Sequence, residues 1–192
     1  KFTELPQIET ITYEGNLGLK ARILEEVVTV KKGDFISWNQ MNTTKEALTN
    51  LYLERGYTDV AVEPTYTVKE DTNKLALVFV IKEGRQKKVA EIVFEGNTKL
   101  SDSVLQKELS LKVQSLFNSG NYTEAKLTQD IQAIQLAYQT RGYVDAKVVN
   151  VRTEDVSTAE DVTTKLRIVF EITEQDQWFL GTIGVEGNSI YS

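Results

Sequence analysis

Carboxylates are the only abundant side chains here with catalytic or metal-binding potential. The sequence has 28 Asp and Glu, no cysteine and no histidine in 192 residues. That composition leaves no thiolate nucleophile, no imidazole base and no thiolate or imidazole metal site. Two carboxylate chemistries stay open in principle, an acid pair flanking a scissile bond and a calcium loop. The acidic stretch TEDVSTAEDVTT (153–164) is the one candidate for the second. It lacks the alternating Asp/Asn ligands and the mid-loop glycine of an EF-hand loop, so it is expected to be a polar hairpin loop. No carboxylate pair stands out that the chain's internal repetition does not explain. The protein is therefore expected to be no enzyme, with no cofactor and no metal, and Asp59→Asn and Asp145→Asn are expected to lose nothing measurable.

Charge narrows the partners. The net charge is −6 and the pI about 4.9, whereas a nucleic-acid binder normally carries a basic stripe. Only GRQKK (84–88) is locally basic, and it reads as a solvated connector. No apolar run approaches the roughly 18 residues of a membrane-spanning helix. The opening KFTELPQIET lacks the basic and apolar regions of a signal peptide.

The elements that would position any site repeat. IETITYEGN, VAEIVFEGN and LGTIGVEGN end at Asn16, Asn97 and Asn188, with Gly15, Gly96 and Gly187 spaced by 81 and 91 residues. LERGYTDV (53–60) matches QTRGYVDA (139–146), and LALVFVIKEG (75–84) matches LRIVFEITEQ (166–175). Three landmarks in one order, twice, mark a tandem repeat.

Each unit then reads as strand, two helices and two strands. Ile8, Ile11 and Tyr13, like Ile92 and Phe94, suit a strand with one buried face, and the Gly-Asn pair turns the chain. Short helices are expected over Leu19 to about Val28 and from Ser101 to about Leu109, with Leu100 and Leu105 as a hydrophobic staple. Leu127, Ile131, Ile134 and Tyr138 mark one face of a longer helix. Asn121 with Glu124, and Thr43 with Glu46, have the spacing of capping boxes. Gly56 and Gly142 stand where a glycine ends each helix, and Tyr57 and Tyr143 are placed to fold back on it as buried, structural rings. Leu75, Leu77, Phe79 and Ile81 alternate strictly, as do Leu166, Ile168, Phe170 and Ile172, so the closing strands are expected at the sheet centre. Pro64 puts the preceding strand, Val60 to about Val68, at an edge. Its counterpart, Ala146 to about Arg152, has no proline and is apolar on both faces at Val148, Val149 and Val151.

With these landmarks the chain resembles the polypeptide-transport-associated (POTRA) repeat, over nearly its whole length. It is most similar to the periplasmic arm of BamA-type outer-membrane protein assembly factors. The shared pattern is an apolar strand ending in Gly-Asn, helices ending in Gly-Tyr and a strand ending in Glu-Gly. The second unit departs from it at Glu174-Gln175, and it carries about five extra residues between its helices and about five in its last loop. The resemblance implies an α+β fold of tandem βααββ repeats, each with two helices on a three-stranded mixed sheet. The expected divisions are a leading segment (1–5), repeats at 6–86 and 87–177, and the first strand of a further, truncated repeat at 178–192.

It also implies a periplasmic location, attached to the outer membrane through a parent chain with neighbouring repeats and a C-terminal membrane β-barrel. The implied partners are unfolded outer-membrane proteins and accessory assembly lipoproteins, with no nucleic acid. An open sheet edge offers unpaired N–H and C=O groups to an extended client. The expected client edges are Val60, Val62 and Tyr66 in the first repeat and Val148, Val149 and Val151 in the second, the latter as the principal edge. Alternatives are the arm of a polypeptide-secretion transporter, a passive inter-domain spacer, and a division protein carrying one such module.

Overall fold

KLALVFVIK buries every second residue, and that alternation builds the centre of the first sheet. In a computed structural model, which describes residues 5–179 and Gly181, these residues form β3 (Lys74–Lys82). β3 pairs in parallel with β1 (Gln7–Glu14) and antiparallel with β2 (Ala61–Lys69), giving the order β1-β3-β2. Pro64 thus lies on an edge strand, where a missing N–H costs no ladder bond on a free side. The second sheet repeats this plan with β4 (Lys87–Glu95), β5 (Lys147–Asp155) and β6 (Thr164–Thr173) in the order β4-β6-β5.

Irregular spacing in the opening strands has a local cause. Ile8 and Ile11 are three apart, yet both face the core, because the β1 register slips between Ile8 and Thr10. β4 slips at the equivalent place, between Val89 and Glu91. One extra residue in a strand restores the inward face for the residues after it.

Between the strands lie α1 (Ala21–Glu25), α2 (Trp38–Glu54), α3 (Asp102–Glu108) and α4 (Glu124–Gln139). Each sheet and its helix pair close around a separate core. One is built on Leu48, Tyr52, Leu77 and Phe79, the other on Ile134, Tyr138, Ile168 and Phe170. This is the expected βααββ plan, twice. The further strand expected over 178–192, with Gly187 and Asn188, falls outside the described residues apart from its first positions.

Helix starts differ from the capping-box reading. α2 begins at Trp38 with Ser37 as N-cap, so Thr43 and Glu46 lie inside it. α4 is capped by Thr123, whose hydroxyl accepts from the Lys126 amide. Asn121 is instead bound by the Lys88 ammonium at 2.5 Å. α1 is also shorter than its apolar spacing suggests, five residues rather than about ten. The staple holds, since Leu100 and Leu105 are both buried, although Ser101 caps by position only and shares its hydroxyl with Ser103.

Candidate functional site: sheet edges and the repeat joint

The two edges of each sheet are not equivalent. On β1, the Ile8 amide donates to Asp34 O (2.8 Å) and Ile8 O accepts from the Gly33 amide (2.7 Å). On β4, the Val89 amide donates to Gly120 O (2.7 Å) and Val89 O accepts from the Gln114 amide (2.8 Å). The connector between the two helices therefore occupies the start of this edge in both repeats. β2 and β5 pair only with β3 and β6, and no backbone hydrogen bond reaches their outer sides from the described residues. Such an edge is a template for an added strand.

The side chains expected to line these edges lie mostly on the helix-covered face of each sheet, Val62 and Tyr66 opposite the core residues Ile81 and Leu77. Val62 is buried and Val60 packs on the first core, while Tyr66 stays exposed with its ring 6.1 Å from that of Trp38. In β5 the register slips between Val148 and Asn150. Val148 and Val151 consequently pack on the second core, and Val149 alone of the three faces solvent. The expected apolar strip on both faces is thus one outward valine at a bulge, with uninterrupted pairing from Asn150 to Asp155. Beyond it Arg152 pairs with Glu95, Glu154 and Glu171, and Arg167 with Glu91 and Glu154, so the open face of this sheet is a charge lattice.

The motif residues set up the turns and the joint between repeats. Gly15 (φ +83°) and Gly96 (φ +85°) lie against the carbonyls of Ile81 and Ile172, where an added Cβ would come within 2.1 Å of the oxygen. The adjoining asparagines act through their side chains. Asn16 donates to Leu19 O at 2.9 Å and Asn97 to Leu100 O at 3.0 Å. After the long helices, Gly56 and Gly142 take φ of +89° and +87°. Tyr57 and Tyr143 then stand edge-on to Tyr52 and Tyr138, at 5.4 and 6.2 Å.

Gly56 also receives the second repeat, and Gly142 the segment that follows β6. The Lys87 amide donates to Gly56 O (2.7 Å), and the Gln86 side chain to Arg55 O (2.7 Å). Lys87 Nζ reaches Asp59 at 3.1 Å. The same three bonds recur further on: the Trp178 amide to Gly142 O (2.8 Å), Gln177 to Arg141 O (2.9 Å) and Trp178 Nε1 to Asp145 (2.8 Å). Asp59 and Asp145 are thus joint residues, and GRQKK is a docked connector rather than a solvated one. Beside the first joint lies a cleft of about 380 Å3 between Leu53 and Thr58 on one repeat and Thr123 and Ala125 on the next.

Sequence reasoning missed one constellation in each repeat. Glu83 accepts from the Tyr52 hydroxyl (2.8 Å) and from the Gly18 amide (2.9 Å). Glu174 accepts from the Tyr138 hydroxyl (2.6 Å) and from the amides of Thr98 and Lys99 (both 2.9 Å). The signal was present, because the glutamate of the closing Glu-Gly persists as Glu174 where the glycine does not. Burial presses the Glu174 carboxyl upward, but the hydrogen bonds from Thr98, Tyr138 and Lys99 outweigh it and hold the pKa below the ordinary carboxylate value. Burial, reinforced by that carboxylate, drives the Tyr138 hydroxyl well above its usual value.

Asp130, wholly buried on α4, accepts from the amides of Ser110 (2.5 Å) and Leu111 (3.0 Å). Burial raises its pKa, and those bonds oppose the rise. In the first repeat Thr44 holds the matching place and bonds Thr29. This buried acid is committed to holding the connector that follows α3. Asp155 and Asp161 of the acidic loop are likewise bound by Ser157, Thr158 and Lys165.

The family model described as "POTRA: Surface antigen variable number repeat" matches residues 6–84 and 87–175. The chain belongs to the POTRA family. Its repeats are of the kind found in BamA-type outer-membrane assembly factors. It is 32% identical over 98% of its length to a putative outer membrane protein assembly factor of Treponema pallidum, covering 22% of that protein. It is 29% identical over 78% of its length to the outer membrane protein assembly factor BamA of Neisseria meningitidis, covering 19% of it. The chain thus spans about a fifth of the length of these relatives. The crystal structure of Haemophilus influenzae BamA POTRA3-5 shares the fold, with a TM-score of 0.55 and 18% identity over 98% of this chain and 74% of that one.

Proposed function

We propose that this POTRA pair is a non-enzymatic binding arm in the periplasm, part of an outer-membrane β-barrel assembly factor whose parent chain carries further repeats and a C-terminal barrel. It engages unfolded barrel precursors and accessory lipoproteins by strand addition along β2 and β5. The observation that carries this reading is the asymmetry of the edges. The β1 and β4 edges begin under their own connectors, whereas the outer sides of β2 and β5 meet no backbone partner among the described residues. Main-chain pairing supplies affinity without demanding a side-chain code, which suits a receptor for many clients. In β5 the pairing run is Asn150–Asp155, and Val149 at the bulge offers one apolar contact beside it.

A peptide copied from a barrel strand, and the same peptide N-methylated on alternate residues, test this directly. Methylation blocks pairing yet adds apolar surface. Fluorescence anisotropy should show binding of the first peptide and loss of the second. Equal binding of both would mean side-chain capture and would sink strand addition. The spacer reading has its own support in the repeated joint bonds, which fix one repeat on the next, and it predicts that neither peptide binds.

A further inference from the structure

The connector bonds to β1 and β4 locate the second repeat's insertion. Gln114 and Gly120 hold Val89 as Gly33 and Asp34 hold Ile8, so the five residues Ser115–Ser119 have no counterpart in the first repeat. They form a closed turn. The Ser115 amide donates to Asn118 O (2.9 Å) and the Asn118 amide returns to Ser115 O (3.4 Å). Asn118 Oδ1 accepts from the Gly120 amide (2.9 Å), and Ser115 Oγ from the Phe117 amide (3.4 Å). At its neck Gly120 (φ +63°) passes so close to Gln114 that an added Cβ would lie 2.6 Å from the Gln114 Cβ. These bonds close the turn on itself and leave Leu116 and Phe117 at its tip, 98% and 99% exposed.

Charge indicates what the tip meets. From Leu109 to Thr123 the only charged residue is Lys112, in a chain of net charge −6. Lys88, at the turn's base, is buried and committed to Asn121, so Lys112 is the exposed cation. An apolar tip with one exposed lysine behind it and no carboxylate in the segment suits an anionic lipid surface. Two side chains on a convex tip are a small fraction of the roughly 800 Å2 that each partner buries in a stable protein interface. A bilayer needs no matching shape. Because the turn is already ordered by its own hydrogen bonds, insertion freezes little more of the chain.

We propose that the Ser115–Ser119 turn is a lipid anchor, with Leu116 and Phe117 entering the headgroup–acyl boundary of an anionic phospholipid surface and Lys112 remaining among the headgroups. This rests on the reading of the chain as a membrane-adjacent arm, but not on strand addition. Because the chain has no cysteine, Ser119→Cys accepts a single polarity-sensitive fluorophore beside the tip. With phosphatidylethanolamine–phosphatidylglycerol vesicles its emission should shift to the blue, while a label at Thr72→Cys on the first repeat should not respond.

Leu116→Ser with Phe117→Ser should lower co-flotation about tenfold or more without changing the melting temperature, since neither side chain is buried. An unshifted label at excess lipid, or equal flotation of the double variant, overturns the anchor. So does a shift that depends on protein concentration without vesicles, which would mark a contact between copies. Vesicle binding without peptide binding refutes strand addition alone, and the reverse refutes the anchor alone.

Discussion

Glu83 and Glu174 each tie the end of a closing strand to the turn after the opening strand and to a buried tyrosine of the long helix. Hydrogen bonds that end on a carboxylate are worth more than neutral ones. Glu174→Gln should cost about 1–2 kcal/mol in chemical denaturation, and Tyr138→Phe about 1 kcal/mol. The depressed Glu174 pKa sets a pH dependence. Its contribution is complete above the ordinary carboxylate range and is lost as pH falls through the lower, folded value. Asp130, raised by burial, works in the opposite sense, its contribution falling as pH rises through the window above its ordinary value. Denaturation across about pH 3 to 6 should therefore show a shallower acid limb for Glu174→Gln than for the parent chain. An unchanged slope would mean that the Glu174 carboxylate is not held by these donors. The persistence of Glu83 as Glu174 marked the position, but not its partners, because the contacts of Glu83, Glu174 and Asp130 join residues far apart in the chain and no periodicity marks a hydrogen-bond partner.

Among the elements, strand type and sheet order were readable, and helix starts and bulges were not. Alternation in β3 and β6 announced central strands, and Pro64 announced an edge, because both are consequences of ladder geometry. The bulges at Glu9, Ala90 and Val149 add one residue to a strand without changing its composition, so plain alternation groups Val149 with Val151, whereas the bulge puts Val148 and Val151 on the core face and Val149 on the other. Asn121 had a capping spacing but was claimed by Lys88, a contact set by the folded connector. Pro64 is also where the element account can be tested. Pro64→Thr restores an N–H and a good strand former to β2, so it should tighten barrel-strand peptide binding and raise self-association in sedimentation. Unchanged affinity and unchanged association would show that the β2 edge is not used.

At the scale of the molecule, the joint decides how the edges are presented. Lys87, Gln86 and Asp59 at the first joint, and Trp178, Gln177 and Asp145 after the second repeat, make the same three bonds. The first joint fixes the β5 edge relative to the β2 edge. Gly56→Ala puts a Cβ within 2.6 Å of Lys87 O at a φ of +89°. It should broaden the distance distribution between spin labels at Thr72→Cys and Ser119→Cys, whereas Asp59→Asn, removing one exposed ion pair, should cost less than about 1 kcal/mol and leave that distribution nearly unchanged.

The most direct test of the client-binding account is a backbone amide NMR titration of the isotope-labelled chain with a barrel-strand peptide. The account predicts that the largest shifts fall along Ala61–Lys69 and Asn150–Asp155, with the covered starts of β1 and β4 unmoved. Shifts gathered on α2 and α4, or on the covered edges, would contradict it.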